Sequence, residues 1–267
     1  MTERMKVLHL SDLHLTDDGA DMFGANPATR LQQAIQVIVR EHADAAFCLL
    51  TGDLADRGGV AAYAWLQQQL QRLPMPCYLL PGNHDDRANL RAVFTQTPVD
   101  AHGYLQQRVS TPLGSFLLLD TLQHGVAHGE YGADRLEWLQ RTLATLDADE
   151  PLWLVMHHPP LQVGIPSMDQ YALRNAEPLA CVLEPYRPRI RHLLVGHVHR
   201  AIGGSWRGWP FSCVRSPNHQ VALDLHTRGA DVPGSHEAPG FGVILADGRD
   251  VVVHHQDFLV TGAPFWI

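Results

Sequence analysis

Five short clusters carry side chains that bind metals and move protons: Asp12-Leu13-His14, Gly52-Asp53, Gly82-Asn83-His84-Asp85, His157-His158 and Gly196-His197-Val198-His199. Aspartate, histidine and asparagine are ligands of intermediate hardness. The set suits Mn, Fe, Zn or Co better than Ca. The candidates are too many for one tetrahedral ion. Two ions sharing a carboxylate account for them economically, and metals paired about 3.5–4 Å apart suit phosphoryl chemistry. In the Gly82 cluster, glycine lets the chain turn sharply and approach a bound group closely. The next three residues can ligate, donate a proton and orient the donor. Taken singly, each cluster has a plainer explanation. Asp12 reads as a turn residue, His14 as an exposed side chain, Asp53 as a helix cap, and Asn-His-Asp as an ordinary turn. Five such clusters in one chain outweigh those explanations. Histidine is also abundant, at 17 of 267 residues, and neutral imidazole is the commonest metal ligand. Asp56 and Asp86 read as solvated or capping residues. His219 and His226 fit a pocket or a surface equally well, and His254 and His255 fit the surface of a terminal strand.

Each cluster follows an apolar run that reads as a strand: residues 6–10, 45–50, 75–80, 152–156 and 192–195. Helical periodicity falls between them. In residues 28–41, Leu31, Ala34, Ile35 and Ile38 share one face. Residues 59–73 form an amphipathic stretch stopped by Pro74, and residues 87–94, 133–146 and 177–186 also read as helical. Residues 103–109 and 115–120 read as a hairpin about Pro112-Leu113-Gly114. Strand–helix alternation over the first third of the chain implies a parallel sheet covered on both faces. Functional loops of such sheets sit at the carboxyl ends of the strands. If the strands are neighbours in one sheet, all five clusters converge on one edge. From about residue 200 to residue 267 the pattern becomes short β-like pieces, read as a second sheet stacked on the first within a single domain of residues 1–267. Two segments, 161–174 and 227–240, are expected to set substrate choice. The second is rich in Gly and Pro and reads as a mobile loop or lid.

Composition narrows the function. The chain is 45% hydrophobic and 18% charged, a globular balance, with a formal net charge of −8. A duplex nucleic-acid binder would normally be basic, and without a basic run an anionic membrane surface is not an expected partner. No apolar run approaches the length of a membrane span. The four cysteines form no CxxC pair, so a structural zinc site is not expected. Residues 1–6 lack a signal-peptide pattern. A cytoplasmic protein with reduced thiols is the expectation.

The order D-x-H, GD, GNHD, H-x-P, GH-x-H resembles that of the calcineurin-like metallophosphoesterases and spans residues 11–199. Length and local sequence are similar to the bacterial class III cyclic-nucleotide phosphodiesterases and to the glycerophosphodiesterases of that superfamily. His157-His158-Pro159-Pro160, Met168-Asp169 and His219-Gln220-Val221 look like the glycerophosphodiesterase branch. The resemblance implies a four-layer α/β/β/α sandwich with the active site at the carboxyl ends of the strands. It implies that Asp12, His14 and His199 hold one metal, that Asn83, His157 and His197 hold a second, and that Asp53 and a hydroxide bridge them. The H-x-P pattern selects His157 over His158. The ions would be Mn, Fe, Zn or Co, with Mn or Fe favoured. His84 would act as donor or general acid at the leaving oxygen, with Asp85 holding its ring. The expected partner is a small phosphodiester, either a glycerophosphodiester or a 3′,5′-cyclic nucleotide. A homo-oligomer, dimer or larger, is also expected. The competing expectations are a non-catalytic scaffold on the same fold and a nuclease or monoesterase of the same superfamily.

Overall fold

The computed structural model describes residues 4–260, 262 and 265. The chain begins with strand β1 (Met5–Leu10), helix α1 (Pro27–Glu41), β2 (Phe47–Thr51), α2 (Val60–Leu70), β3 (Cys77–Leu80) and α3 (Arg87–Val93). This is the predicted alternation, with ends moved by a few residues. Helix starts have local causes. Asn26 accepts from the Thr29 N–H at 2.9 Å ahead of Pro27, satisfying an amide that the first turn leaves free. Asp86 does the same for Asn89 N at 2.8 Å, in line with its capping reading.

The hairpin follows as β4 (Gln107–Thr111) and β5 (Gly114–Leu119). Then come α4 (Ala133–Ala144), β6 (Leu152–Met156), α5 (Ala176–Leu183), β7 (Ile190–Val195), β8 (Ile202–Trp206), β9 (Trp209–Cys213), β10 (Gly240–Ala246) and β11 (Val251–Asp257). Segment 161–174 includes one helical turn, Pro166–Asp169.

Two main sheets form, in the orders β11-β10-β1-β2-β3 and β8-β9-β7-β6-β5-β4. This corrects the expected division at residue 200. The second sheet starts with the hairpin at residue 107, and the chain's last third is shared out between both sheets. β10 returns to pair antiparallel with β1, from Met5 opposite Ala246 to His9 opposite Gly242. A strand's free edge leaves backbone donors and acceptors unpaired, and β10 satisfies those of β1. The five clusters consequently leave two sheets, three from the first and two from the second.

The layers follow from side-chain alternation along strands that are buried on both faces. In β2, Phe47 and Leu49 point into the core between the sheets, while Cys48 and Leu50 point under α1 and α2. In β5, Phe116 and Leu118 join the inter-sheet core, while Leu117 and Leu119 face the side packed by α4 and α5. Three apolar cores separate four layers, the expected α/β/β/α sandwich. Among the described residues no helix is long and apolar enough to cross a membrane.

Candidate metal centre and active site

Strand ends position the candidate ligands, and backbone strain aims them. Asp12, His14, Asp53, His197 and His199 all have left-handed φ angles, from 47° to 70°. That region costs an L-residue on the order of 1–2 kcal/mol, and such strain clusters at functional sites. The loops after β1 and β2 hold each other in this shape through Asp12 N to Gly52 O (3.0 Å) and His14 N to Asp53 O (2.9 Å). Gly82 fits where no side chain would. A Cβ there would collide with Asp53 Oδ1 and stand 2.7 Å from His157 Nε2.

The two sheets meet at the site. His197 N donates to Asp12 Oδ1 (3.0 Å), and His157 Nδ1 donates to the Thr51 carbonyl (2.7 Å). That second bond fixes the tautomer and leaves the Nε2 lone pair toward the site. His157 Nε2 lies 3.3 Å from Asp53 Oδ2 and 3.2 Å from Asn83 Oδ1. His199 Nδ1 similarly donates to the His219 carbonyl (2.9 Å). Its Nε2 stands 3.2 Å from His14 Nε2 and 3.5 Å from Asp12 Oδ1. All seven predicted ligands therefore gather at one place. Asp12, His14, Asp53 and His199 offer ligand atoms within 4.8 Å of one another, as do His157, His158 and His197.

The donors fit metal ions. His197 Nε2 is buried without a hydrogen-bond partner, which is costly unless something electrophilic fills the place. Burial, with His14 beside it, pushes His199 down to about 3. Burial, with His157 beside it, holds His197 well below the imidazole range. Both rings are neutral lone-pair donors at neutral pH, the form that binds metal. Burial alone would raise Asp53, but His157, His84 and His14 outweigh it and hold its carboxylate well below the usual range. Burial also opposes protonation of His157, yet Asp53 raises that ring to about 9, marking a place where a proton or a cation is wanted.

Asp85 requires a correction. It was expected to hold the ring of His84. Instead its carboxylate accepts from Leu54 N (3.1 Å), Ala55 N (3.0 Å), Gly82 N (2.8 Å) and the Tyr63 hydroxyl (2.8 Å). It ties the loop bearing Asp53 to the loop bearing Asn83. Asp56, read from sequence as solvated or capping, holds the ring. Its carbonyl accepts from His84 Nδ1 at 2.9 Å, and its carboxylate lies 3.6 Å from that nitrogen and 3.5 Å from His14 Nδ1. Residues 53–56 form no helical turn, so no spacing rule in the sequence pairs Asp56 with His84. His158 is buried beside the site but bonded elsewhere, to Thr121 Oγ1 at 2.8 Å.

A cavity of about 810 Å³ opens over the cluster. Both predicted substrate segments reach it, through Met168 and Tyr171 and through Val232 and His236. His219 lines it, while His226, His254 and His255 are exposed residues outside its lining. Met22 and Phe23, in the segment between β1 and α1, form another wall that the sequence analysis did not single out. The available signal was the apolar pair Met22-Phe23 in a stretch that also holds Asp17, Asp18, Asp21 and Asn26.

Comparison with known proteins agrees with this geometry. The chain is 38% identical to the probable cyclic nucleotide phosphodiesterase RPA0124 of Rhodopseudomonas palustris, over 98% of its own length and 95% of that protein's. It is 32% identical to the 3′,5′-cyclic adenosine monophosphate phosphodiesterase CpdA of Escherichia coli K12, over 84% and 82%. A probable glycerophosphodiester phosphodiesterase GpdQ of Arcobacter nitrofigilis is 33% identical over 66% and 65%. Among solved structures, a dimetal phosphatase from Danio rerio superposes with a TM-score of 0.70 at 14% identity, covering 96% of both chains. That likeness concerns the fold. The model of the calcineurin-like phosphoesterases matches residues 5–201, the span that holds β1 to β7 and all five clusters, and the chain belongs to that family.

Proposed function

We propose that this phosphoric diester hydrolase uses two metal ions to cleave small phosphodiesters, with 3′,5′-cyclic nucleotides its first substrates and glycerophosphodiesters the second reading. The observation that carries the proposal is the position of Asp53 Oδ2. It faces His157 Nε2 at 3.3 Å on one side and His14 Nε2 at 3.7 Å on the other, the place of a carboxylate shared by two cations. In this reading Asp12, His14 and His199 would hold one ion, Asn83, His157 and His197 the other, and Asp53 would serve both. Mn or Fe is the favoured pair. Two bound cations supply the charge that stabilises a phosphoryl transition state and acidifies water.

The chain's own groups do the rest. Asp56 orients the His84 ring through Nδ1, which leaves Nε2 to hand a proton to the leaving oxygen. Asp85 locks the loops that carry Asp53, Asn83 and His84. Met22, Met168, Tyr171, Val221 and Val232 give the cavity apolar walls beside the polar cluster. The relatives named for cyclic nucleotides support that choice of substrate over nearly the whole chain, and the relative named for glycerophosphodiesters supports the other. The four cysteines are free, in keeping with a cytoplasmic location. A homo-oligomer is part of the proposal and is measurable by sedimentation.

The test is side-by-side hydrolysis of 3′,5′-cyclic AMP and glycerophosphoethanolamine by protein stripped of metal and reloaded with Mn²⁺. The expected result is a metal-dependent kcat/KM that favours the cyclic nucleotide. The reverse preference would make the glycerophosphodiester the substrate. No metal-dependent rate on either, or on an aryl diester, would return the scaffold reading.

A further inference from the structure

Residues 22–25 form a two-residue turn closed by Met22 N to Ala25 O (2.8 Å) and Ala25 N to Met22 O (3.0 Å). Its central residues, Phe23 and Gly24, both have left-handed φ, +50° and +79°. This is the pattern of a type I′ turn, whose first central position favours Asn, Asp or Gly. A bulky aromatic residue there is a real outlier. Burial does not repay it, because Phe23 is 68% exposed. Hydrogen bonds tie down the loop beneath. Asn26 Nδ2 donates to Gly19 O (2.9 Å) and Asp21 Oδ1 (2.9 Å), and Asp17 Oδ1 accepts from Ala62 N (2.9 Å). The fold therefore holds a strained, exposed ring at the cavity mouth.

The ring's position has a use. Its centroid lies 4.7 Å from that of His219, which lies 5.0 Å from that of His14 and 4.6 Å from that of His199. Two ring contacts, Phe23 to His219 and His219 to His14 or His199, connect Phe23 to the candidate ligands. Tyr171, Met168, Val221 and Val232 line the same cavity. We infer that Phe23 is a stacking platform for the flat group of the substrate, and hence that this site takes a cyclic nucleotide by its base. The inference rests on the phosphodiesterase reading above and names a specificity residue for it. An exposed aromatic face is sequence-tolerant for bases and offers little to glycerol.

Phe23→Asn tests it, because asparagine suits the turn and removes the platform. The expected result is a fall in kcat/KM for 3′,5′-cyclic AMP of about 10- to 100-fold, carried by KM. Hydrolysis of glycerophosphoethanolamine should stay unchanged, and Phe23→Trp should recover the cyclic substrate. An equal fall on both substrates, or none on either, would overturn the platform while leaving the phosphodiesterase reading in place. A changed molecular mass in solution with equal losses would instead make Phe23 an interface residue. Binding of 5′-AMP against glycerol 3-phosphate gives an independent readout. If the parent hydrolyses no diester, that reading fails, and AMP affinity still decides whether Phe23 holds a base.

Discussion

At the scale of residues, the site depends on which carboxylate holds which group: Asp56 takes the His84 ring, and Asp85 ties the loops together. Asp12, His14, Asp53, Asn83, His157, His197 and His199 stood out because each follows an apolar strand, and the fold brings them together. Which carboxylate serves His84 depends on how the residues after β2 and β3 turn, and no spacing rule reports that. Asp85 turned inward to four donors, and Asp56 took the ring. Two variants separate these roles. His84→Ala should keep both ions, by metal analysis, and lose roughly 10²–10⁴ in kcat. Asp85→Asn should lower Tm by roughly 5 °C or more, since a buried amide cannot accept the bonds that a carboxylate does. If His84→Ala lost metal, His84 would be a ligand and the assignment would be wrong.

At the scale of elements, the strands were legible and the sheets they join were not. Apolar runs of β2, β5 and β6 identify strands buried on both faces, but a strand carries no label naming its neighbour. The return of β10 to the edge of β1 is a long-range pairing that local pattern cannot reveal. The ends of the strands are more constrained than their middles. Gly82 packs against Asp53 and His157 so closely that Gly82→Ala must displace one of them. The variant should bind at most one ion per chain at limiting Mn²⁺ and melt below the parent. Two ions and an unchanged melt would mean that the approach of the two loops is not what builds the site.

At the scale of the whole molecule, the centre exists because two sheets stack with their carboxyl ends on the same side. Hydrogen bonds from His197 N to Asp12 and from His157 to Thr51 cross that boundary. The interface also buries imidazoles. His9 bonds Thr51 Oγ1 at 2.8 Å and His192 bonds Ser212 Oγ at 2.9 Å. Burial lowers His9 from 6.5 to about 3, with His255 and His192 adding to it, and lowers His192 from 6.5 to about 4. Both are neutral in the fold, whereas the unfolded chain takes up their protons below its ordinary value. Their contribution is thus present above pH 6.5 and is lost as pH falls toward 4. The metal-free protein should melt progressively lower from pH 6.5 to 4.5, and His192→Gln should flatten that decline. A decline equal to the parent's would remove His192 from the account. The central claim is that seven side chains from two sheets hold two ions that together hydrolyse a phosphodiester. The most direct measurement is titration of metal-free protein with Mn²⁺, following bound metal and cyclic AMP hydrolysis together in the parent and in Asn83→Ala. The account predicts two ions per chain, activity that appears with the second, and a variant left with one ion and little turnover. Full activity with one ion, or two ions and no turnover of any diester, would contradict it.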